Sequence, residues 1–128
     1  VVVPNEIEAE TLTGTRIDTI DDAYASGEAL CTRGSRAAVI TLGARGAAVV
    51  AGHERAHIAG LRVAAIDTVG AGDAFCAALA VAIADGASIS EAARFANAAG
   101  AAATTRAGAE PSMPSRAAVE ALLDGGAR

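Results

Sequence analysis

The chain has 128 residues, of which 52% are hydrophobic and 20% are charged, and its formal net charge at pH 7 is −5. This length and composition predict one folded domain, or part of one, with a buried core. The negative charge argues against a protein that binds nucleic-acid phosphates, because such proteins need a basic surface. Only 2% of the residues are aromatic, so the stacking platforms of single-strand binders are missing as well.

The sequence also argues against a membrane or secreted protein. The longest apolar run, residues 74–84, is shorter than the roughly 20 residues that cross a bilayer, and no basic segment followed by an apolar one opens the chain. Cys31 and Cys76 lack metal-ligand spacing, which predicts thiols in a reducing cytoplasm. His53 and His57 are interpreted as surface imidazoles rather than a metal pair. We therefore expect a cytoplasmic protein without a membrane partner.

The first half of the chain predicts short strands and helices in alternation. Val1–Val3 is a β-branched run that ends at Pro4, as at the end of a buried strand. Two helices follow, and each ends at a glycine, the usual residue beyond a helix C-terminus. They are predicted from Asn5 to Gly14 and from Asp18 or Thr19 to about Arg33. Apolar runs between turns then predict a meander of strands over Ala37–Leu42, Ala47–Ala51 and Arg55–Ala59.

The second half of the chain is predicted to be helical. Asp73–Asp85 is apolar nearly all round, which is typical of a buried helix. Ser88–Glu91 has the pattern of a capping box and opens a helix that runs to about Thr105, and Ser115 is expected to cap a last amphipathic helix. Strands that alternate with helices favour an α/β fold in which helices cover a parallel sheet.

The segment Gly70–Asp73 carries the strongest functional signal. Its two glycines leave the backbone bare, so successive N–H groups can converge on an anion at the positive end of the following helix. A structural turn, in which the aspartate stabilises the helix dipole, is the alternative. Judged alone, the pattern fits such a turn better than a phosphate site, and it lacks the lysine of the P-loop.

The functional interpretation gives this segment two tasks. The amides of Ala71, Gly72 and Asp73 would hold the oxygens of a phosphoryl group and stabilise the charge that spreads over them in the transition state. Asp73 would accept the proton of an attacking hydroxyl as a positioned general base. Together these tasks describe phosphoryl transfer to an alcohol.

Four segments in order resemble motifs of the ribokinase-like (PfkB) sugar kinase family. Asp67–Phe75 is similar to the family's C-terminal signature, and Pro4–Glu10 to its Asn-x-x-Glu segment. Thr41–Gly46 resembles its nucleotide-binding turn. The tail resembles the ribokinase members of the family most, over Arg94–Ala99, Thr105–Ala109 and Ser112–Pro114. The resemblance extends over essentially the whole chain.

The resemblance implies a fold, an activity and a set of site residues. The implied fold is a three-layer α/β/α sandwich with a mainly parallel sheet, and the implied reaction transfers the γ-phosphoryl group of ATP to a sugar hydroxyl, with D-ribose favoured. Asp73 would be the catalytic base and would contact the sugar, Gly70–Asp73 would form the anion hole, and Glu8 would organise Mg²⁺ through water. Nucleotide-binding residues would be Asn5, Thr41, Leu42, Gly43, Ala44, Arg45, Gly46, Gly72 and Asn97.

Two of these implied sites have plainer alternatives. Asn5 and Glu8 also have the spacing of a helix capping arrangement, and both roles can hold together. Thr41–Gly46 is also compatible with an ordinary turn between strands.

The resemblance further implies a monovalent-cation site beside the anion hole. Its all-oxygen ligands suit a large, weakly hydrated ion such as K⁺. They would be the Asp67 carboxylate, the carbonyls of Val69, Ala103, Arg106 and Gly108, and the Ser112 hydroxyl.

One departure from the family is the length of the chain, since family members are much longer. We expect residues 1–128 to be the C-terminal, nucleotide-binding and catalytic part of such a kinase, which lacks the N-terminal sugar-binding and lid part. That missing half, or a second copy of the chain, is the expected protein partner, with ATP or ADP and a small sugar as ligands. Nucleosides, fructose phosphates and keto-deoxy sugar acids remain open as substrates. A nucleotide-binding module without catalysis and a degraded remnant remain open as alternatives to a kinase.

Overall fold

The computed structural model describes residues 1–105 and 114–126. The chain divides into two compact units, Val1–Ala59 and Gly60–Arg128. Strands and helices together form the first unit, and helices dominate the described part of the second.

The first unit contains two helices followed by an antiparallel sheet. The strands have the order β1-β2-β3, and Val39 of β1 pairs with Val49 of β2, which pairs in turn with Ala56 of β3. Both predicted helices and the predicted meander are confirmed. The elements are α1 (Glu6–Thr13), α2 (Ile20–Thr32), β1 (Ala37–Thr41), a 3-10 turn (Gly43–Arg45), β2 (Ala47–Ala51) and β3 (Glu54–Ile58).

The N-terminal segment lies beside β1 in a parallel direction. Val2 forms a parallel bridge with Ala38, and Asn5 forms another with Thr41. The Val39 amide donates to the Val2 carbonyl at 2.9 Å. Within the described residues, the N-terminal segment is parallel to β1. The three-stranded sheet β1-β2-β3 is antiparallel, and not mainly parallel as predicted. The reason is that short turns connect β1 to β2 and β2 to β3, and such turns can join only antiparallel neighbours.

Side chains on both faces of β1 and β2 are buried. Residues 37–40 and 47–50 are all buried, while β3 is largely exposed. Gly27 of α2 lies directly over Val50, and a Cβ atom at Gly27 would stand 2.7 Å from a Val50 methyl carbon. The missing side chain therefore allows α2 to approach the sheet closely.

The first turn of α2 is fixed by a reciprocal cap. The Thr19 hydroxyl accepts from the Asp22 amide at 3.1 Å. The Asp22 carboxylate accepts from the backbone amides of Asp18 and Thr19, both at 3.0 Å. Because these bonds stabilise the charged carboxylate, they lower the pKa of Asp22.

The second unit contains α3 (Ala71–Ala84), α4 (Ile89–Ala103) and α5 (Arg116–Gly126). Helix α4 packs against α3 on one side and against α5 on another. The caps at Ser88 and Ser115 are confirmed, since their hydroxyls accept from the amides of Glu91 and Ala118 at 3.2 and 3.1 Å. Of the capping box predicted at Ser88–Glu91, the described residues show this Ser88 half alone, without the reciprocal bond to the Glu91 side chain. None of the helices in the described parts of the chain is long and apolar enough to span a membrane.

The prediction that α3 is buried all round is wrong. One face is buried, with Phe75 and Leu79 only 5% and 3% exposed. The opposite face is exposed and includes Cys76 and Val81. An apolar sequence sets what a helix can bury but not how many neighbours it has, and α4 covers only one side of α3.

Gly27→Ala tests the close approach of α2 to the sheet. We expect it to lower the free energy of unfolding by roughly 1–3 kcal/mol, the usual cost of overpacking a core. Helix propensity alone predicts the opposite sign, since alanine is better than glycine by about 0.5–1 kcal/mol. Urea unfolding measures the change.

Ala25→Gly is the matched control because Ala25 is exposed on the same helix. It should cost only the propensity difference of about 1 kcal/mol. A stabilised Gly27→Ala chain would contradict the packing described for Val50.

Candidate functional site

A compact turn leads into the N-terminus of α3. The Asp67 carboxylate accepts from the Val69 amide at 2.9 Å, and the Ala71 amide donates to the Thr68 carbonyl at 3.2 Å. Gly70 has φ 85° and ψ −5°, a left-handed conformation that favours glycine, and it is the N-cap of the helix. The glycine therefore turns the chain directly into the helix.

The turn leaves backbone amides open at the start of α3. Among the residues that the structure describes, the amides of Gly72 and Asp73 have no hydrogen-bond partner. Both residues are exposed, and the space around the Cα of Gly72 is empty. Unpaired amides at the positive end of a 14-residue helix form a site that can bind an anion. The Asp73 side chain is exposed on the same turn.

The end of α4 holds the other end of this loop. The Thr104 carbonyl accepts from two amides, those of Ile66 at 2.7 Å and Asp67 at 3.0 Å. Thr104 is the C-cap of α4, so one of the carbonyls that a helix leaves unpaired is used to fix the loop. Sequence reasoning missed this contact, since nothing in the local pattern around Thr104 indicates it.

The predicted cation ligands are only partly within the described residues. Asp67 is half-buried, Val69 is 56% exposed and Ala103 is fully buried. Arg106, Gly108 and Ser112 lie outside the described residues. Across residues 1–105 and 114–126 there is no group of three or more His, Cys, Asp and Glu side chains that could hold a metal ion. The K⁺ site therefore stays a prediction.

Asn5 and Glu8 form a complete capping box at the start of α1. The Asn5 side-chain oxygen accepts from the Glu8 amide at 2.8 Å, and Glu8 Oε1 accepts from the Asn5 amide at 3.0 Å. The structural alternative for this pair is therefore present. The box uses one carboxylate oxygen of the exposed Glu8 side chain, so Oε2 lies outside it.

The second predicted nucleotide segment lies next to this cap. Asn5 and Thr41 form a parallel bridge, and the Thr41 amide donates to the Pro4 carbonyl at 3.0 Å. Both residues follow the carboxyl ends of parallel backbone segments. In α/β sheets that edge is where ligands usually bind, so the fold brings Asn5 and Thr41–Gly46 together at an edge suited to a ligand.

The turn from Leu42 to Gly46 is held from several sides. Leu42 is buried, and its amide donates to the Gly46 carbonyl at 2.8 Å. Gly46 has φ 91° and ψ −126°, which a residue with a side chain rarely adopts. These bonds leave Gly43, Ala44 and Arg45 exposed at the tip of the turn.

Contacts within the first unit hold the Arg45 side chain. Its guanidinium pairs with Glu6 at 2.9 Å and donates to the Asp18 carbonyl at 3.0 Å. The Arg45 carbonyl lies 2.7 Å from Nε2 of His57, an exposed imidazole on β3. Sequence reasoning placed Arg45 at the nucleotide but missed Glu6 and His57 as its supports, because only the folded chain brings them together. Asn97, the remaining predicted nucleotide residue, is half-buried on α4.

Known proteins resemble this chain over most of its length. It matches the pfkB family of carbohydrate kinases over residues 1–116. It is 38% identical over 116 residues to the ribokinase of Haemophilus influenzae, and this alignment covers 91% of this chain and 38% of that protein. The structure of Arabidopsis thaliana ribokinase complexed with ribose and ATP aligns with a TM-score of 0.88 at 36% identity, over 95% of this chain and 40% of that chain. The structure of phosphofructokinase-2 from Escherichia coli in complex with potassium aligns with a TM-score of 0.88 at 28% identity, over 99% of this chain and 41% of that one.

The chain therefore belongs to the pfkB family of carbohydrate kinases, and the family that the four motifs indicated is confirmed. The fold is of the α/β class, as predicted. The chain spans about two fifths of the length of the relatives that it matches.

Asn5→Ala and Glu8→Gln separate the capping role of this pair from its charge. Asn5→Ala should lower the free energy of unfolding by about 1 kcal/mol, because the Glu8 amide loses its acceptor. Glu8→Gln should change stability little, since glutamine also serves at the third helical position of a capping box. Chemical denaturation followed by circular dichroism measures both. Equal losses at the two positions, or none at Asn5, would contradict the observed cap.

Proposed function

We propose that this chain carries the phosphate-binding and catalytic segment of an ATP-dependent sugar kinase. The observation that supports it most directly is the start of α3, where two amides without protein partners and an exposed aspartate share one helical turn. Helices leave their first amides without intrahelical partners, and at α3 these amides are exposed beside a carboxylate, which suits an anion that reacts with a hydroxyl. Membership of a carbohydrate kinase family supports a phosphoryl group as that anion.

The amides and the carboxylate divide the chemistry between them. The N–H groups of Gly72 and Asp73 donate to the oxygens of the transferred phosphoryl group, with Gly70 and Ala71 shaping the turn. The Ala71 amide, which we expected to be a third donor, donates to the Thr68 carbonyl instead. Donors fixed before reaction stabilise the charge that builds on those oxygens in the transition state. The Asp73 carboxylate accepts the proton of the attacking sugar hydroxyl and orients its oxygen toward phosphorus. The oxygen–phosphorus bond to the sugar forms as the bond to ADP breaks.

D-ribose is the favoured sugar, with the phosphoryl group transferred to O5. The similarity to ribokinases supports ribose. The ribokinase of Haemophilus influenzae aligns with 91% of this chain, and the ribokinase structure from Arabidopsis thaliana aligns with 95% of it. Another substrate of the family is the alternative, and the likeness to phosphofructokinase-2 keeps a fructose phosphate open. Nucleosides and keto-deoxy sugar acids are further candidates.

We also propose how this chain fits into a larger kinase fold. The chain would form the C-terminal part of a three-layer sandwich with a mainly parallel sheet, in which the bridges of the N-terminal segment to β1 are part of the parallel pairing. The remaining part, as a preceding segment or a second polypeptide, would supply most of the sugar pocket. A second copy of this chain is the alternative partner.

Two metal ions belong to the proposed enzyme. The exposed Glu8 carboxylate fits a water-mediated Mg²⁺, because the cap uses Oε1 and not Oε2. When bound, Mg²⁺ neutralises charge on the phosphates. K⁺ would be held by Asp67, Val69 and Ala103 together with Arg106, Gly108 and Ser112. The described part of this donor set is rich in oxygen, as an alkali ion requires, and the potassium complex of phosphofructokinase-2 is a precedent in a similar protein.

A nucleotide-binding module without catalysis is the second candidate. It is supported by the edge at which Asn5 lies beside Thr41, because that arrangement suits a nucleotide whether or not a sugar is phosphorylated. Asn5, Thr41–Gly46 and Asn97 would then bind the nucleotide, and no sugar would be phosphorylated.

ADP release from Mg·ATP, with and without D-ribose and a panel of other sugars in K⁺ buffer, distinguishes the candidates. Ribose-dependent release supports the kinase and its substrate, and release with another sugar supports the kinase alone. ATP binding without release favours the binding module. A chain that neither binds nor hydrolyses ATP contradicts both.

Asp73→Asn tests the catalytic base. We expect turnover to fall by about 10²–10⁴-fold, the usual contribution of general-base catalysis, while the ATP dissociation constant measured by calorimetry stays unchanged. Asp124→Asn is the matched control, because Asp124 is an exposed aspartate on α5. Full activity in Asp73→Asn would remove this carboxylate from the mechanism.

Glu8→Gln tests the magnesium part. The amide keeps the cap but has no negative charge, so the Mg²⁺ concentration for half-maximal activity should rise, by about tenfold for the loss of a group that acts through water. A titration of activity with Mg²⁺ at fixed ATP measures this. An unchanged Mg²⁺ requirement would leave Glu8 as a cap alone.

A further inference from the structure

Gly100 of α4 lies beneath the first turn of α3. It is buried, and a Cβ atom placed on it would stand 3.3 Å from the backbone oxygen of Ala71 and 3.7 Å from Cβ of Phe75. The first distance is tighter than nine in ten real Cβ contacts, so the Ala71 carbonyl would have to give way by a few tenths of an ångström. The absence of a side chain at this position is therefore what admits the carbonyl.

The backbone conformation at Gly100 does not explain the glycine. Its φ is not in the left-handed region, and it sits inside a helix where alanine occupies most of the other buried positions. Glycine is the poorer helix former. Space for the first turn of α3 is the remaining reason. The buried alanines of α4 are Ala92, Ala93, Ala96, Ala98, Ala99 and Ala103.

The contact acts on a peptide group that belongs to the proposed phosphate site. The Ala71 carbonyl and the Gly72 N–H are parts of one rigid, planar peptide unit. A push on the oxygen therefore tilts the N–H of Gly72, one of the two open amides at the start of α3. The direction of that N–H is what determines whether it meets a phosphoryl oxygen.

A second contact comes from one helical turn further along α4. Residues 100 and 104 share a face of the helix, and the Thr104 carbonyl holds the amides of Ile66 and Asp67. Helix α4 thus contacts the loop at both ends, with a carbonyl where the loop begins and a bare Cα where it enters α3. The two contacts set the position of the loop between them.

We propose that Gly100 is a positioning residue for the anion hole, and that its missing side chain fixes the direction in which the Gly72 N–H points. Gly100 does not touch the substrate. It acts through Ala71, and its role in phosphate binding rests on the proposed function. The effect of Gly100 on the direction of the Gly72 N–H depends only on the packing of α4 against α3.

Gly100→Ala in the full 128-residue chain tests the geometry without any ligand. We expect the ¹H and ¹⁵N resonances of the Gly72 amide to shift, because the neighbouring carbonyl has moved. Arg94→Gly is the control, since Arg94 is exposed on the same helix and its replacement weakens the helix without adding atoms near the loop. That variant should lower the unfolding midpoint and leave Gly72 unchanged. An unmoved Gly72 resonance in Gly100→Ala would overturn the inference.

The ligand part uses Mg·ATP and inorganic phosphate as probes. Gly100→Ala should weaken the binding of both probes by about tenfold, as expected when one donor to a charged group is misaligned. The free energy of unfolding should not fall by a corresponding amount. Unchanged affinity would overturn the positioning role. If the wild-type chain binds neither probe, the proposed function fails, and the amide resonances still decide whether Gly100 sets the direction of Gly72.

Gly100→Ala combined with Phe75→Leu covers the case in which the single variant does not fold. The Phe75 ring lies beside the added Cβ, with Cδ2 at 3.8 Å. Leucine keeps a Cδ2 atom but lacks the outer ring carbons, so the smaller side chain gives α4 room to shift away from Ala71. The double variant should fold, with the Gly72 resonance closer to that of Phe75→Leu alone. A folded double variant whose Gly72 resonance is displaced from its position in Phe75→Leu alone would contradict a steric cause.

Discussion

Because most side chains in this protein are small, they can form a core only where the backbones of neighbouring elements lie close together. With 2% aromatic residues and 52% hydrophobic ones, apolar surface can leave water only if helices lie nearly in contact with their neighbours. In the first unit Gly27 admits a methyl group of Val50, and in the second Gly100 admits the carbonyl of Ala71. Each unit thus depends on a glycine at the point of closest approach.

The same constraint shapes the candidate site. The parts proposed to bind phosphate or to hold the loop are mostly backbone: the amides of Gly72 and Asp73, the Thr104 carbonyl that accepts from the loop, and the glycine turn at Gly70. Side chains act as supports in the first unit, where Glu8 caps α1 and Arg45 ties its turn to Glu6. Because backbone groups are part of rigid peptide planes, their directions follow from how the helices pack.

Local features could be predicted from the sequence because neighbouring residues determine them. The cap at Asn5, the end of α1 at Gly14 and the glycine turn before α3 all follow from patterns a few residues long. The sequence leaves the start of α2 open between Asp18 and Thr19, and α3 begins at Ala71, two residues before the predicted Asp73. Family membership followed from motifs that keep their order along the chain. The exposed face of α3 and the supports of Arg45 could not be predicted, since both depend on contacts between residues far apart in sequence.

A site made of amides also changes which positions an inherited or engineered change can reach. No side-chain replacement deletes the N–H of Gly72, short of introducing proline. Alanine scanning would therefore leave the amides in place and register their neighbours, Asp73 and the left-handed Gly70, whose φ of 85° disfavours a side chain. Damage to the proposed site should also arise from the buried side of α4, where one added methyl group alters an exposed peptide without touching the ligand. A map of harmful substitutions would then include buried positions beneath the loop that never meet the ligand.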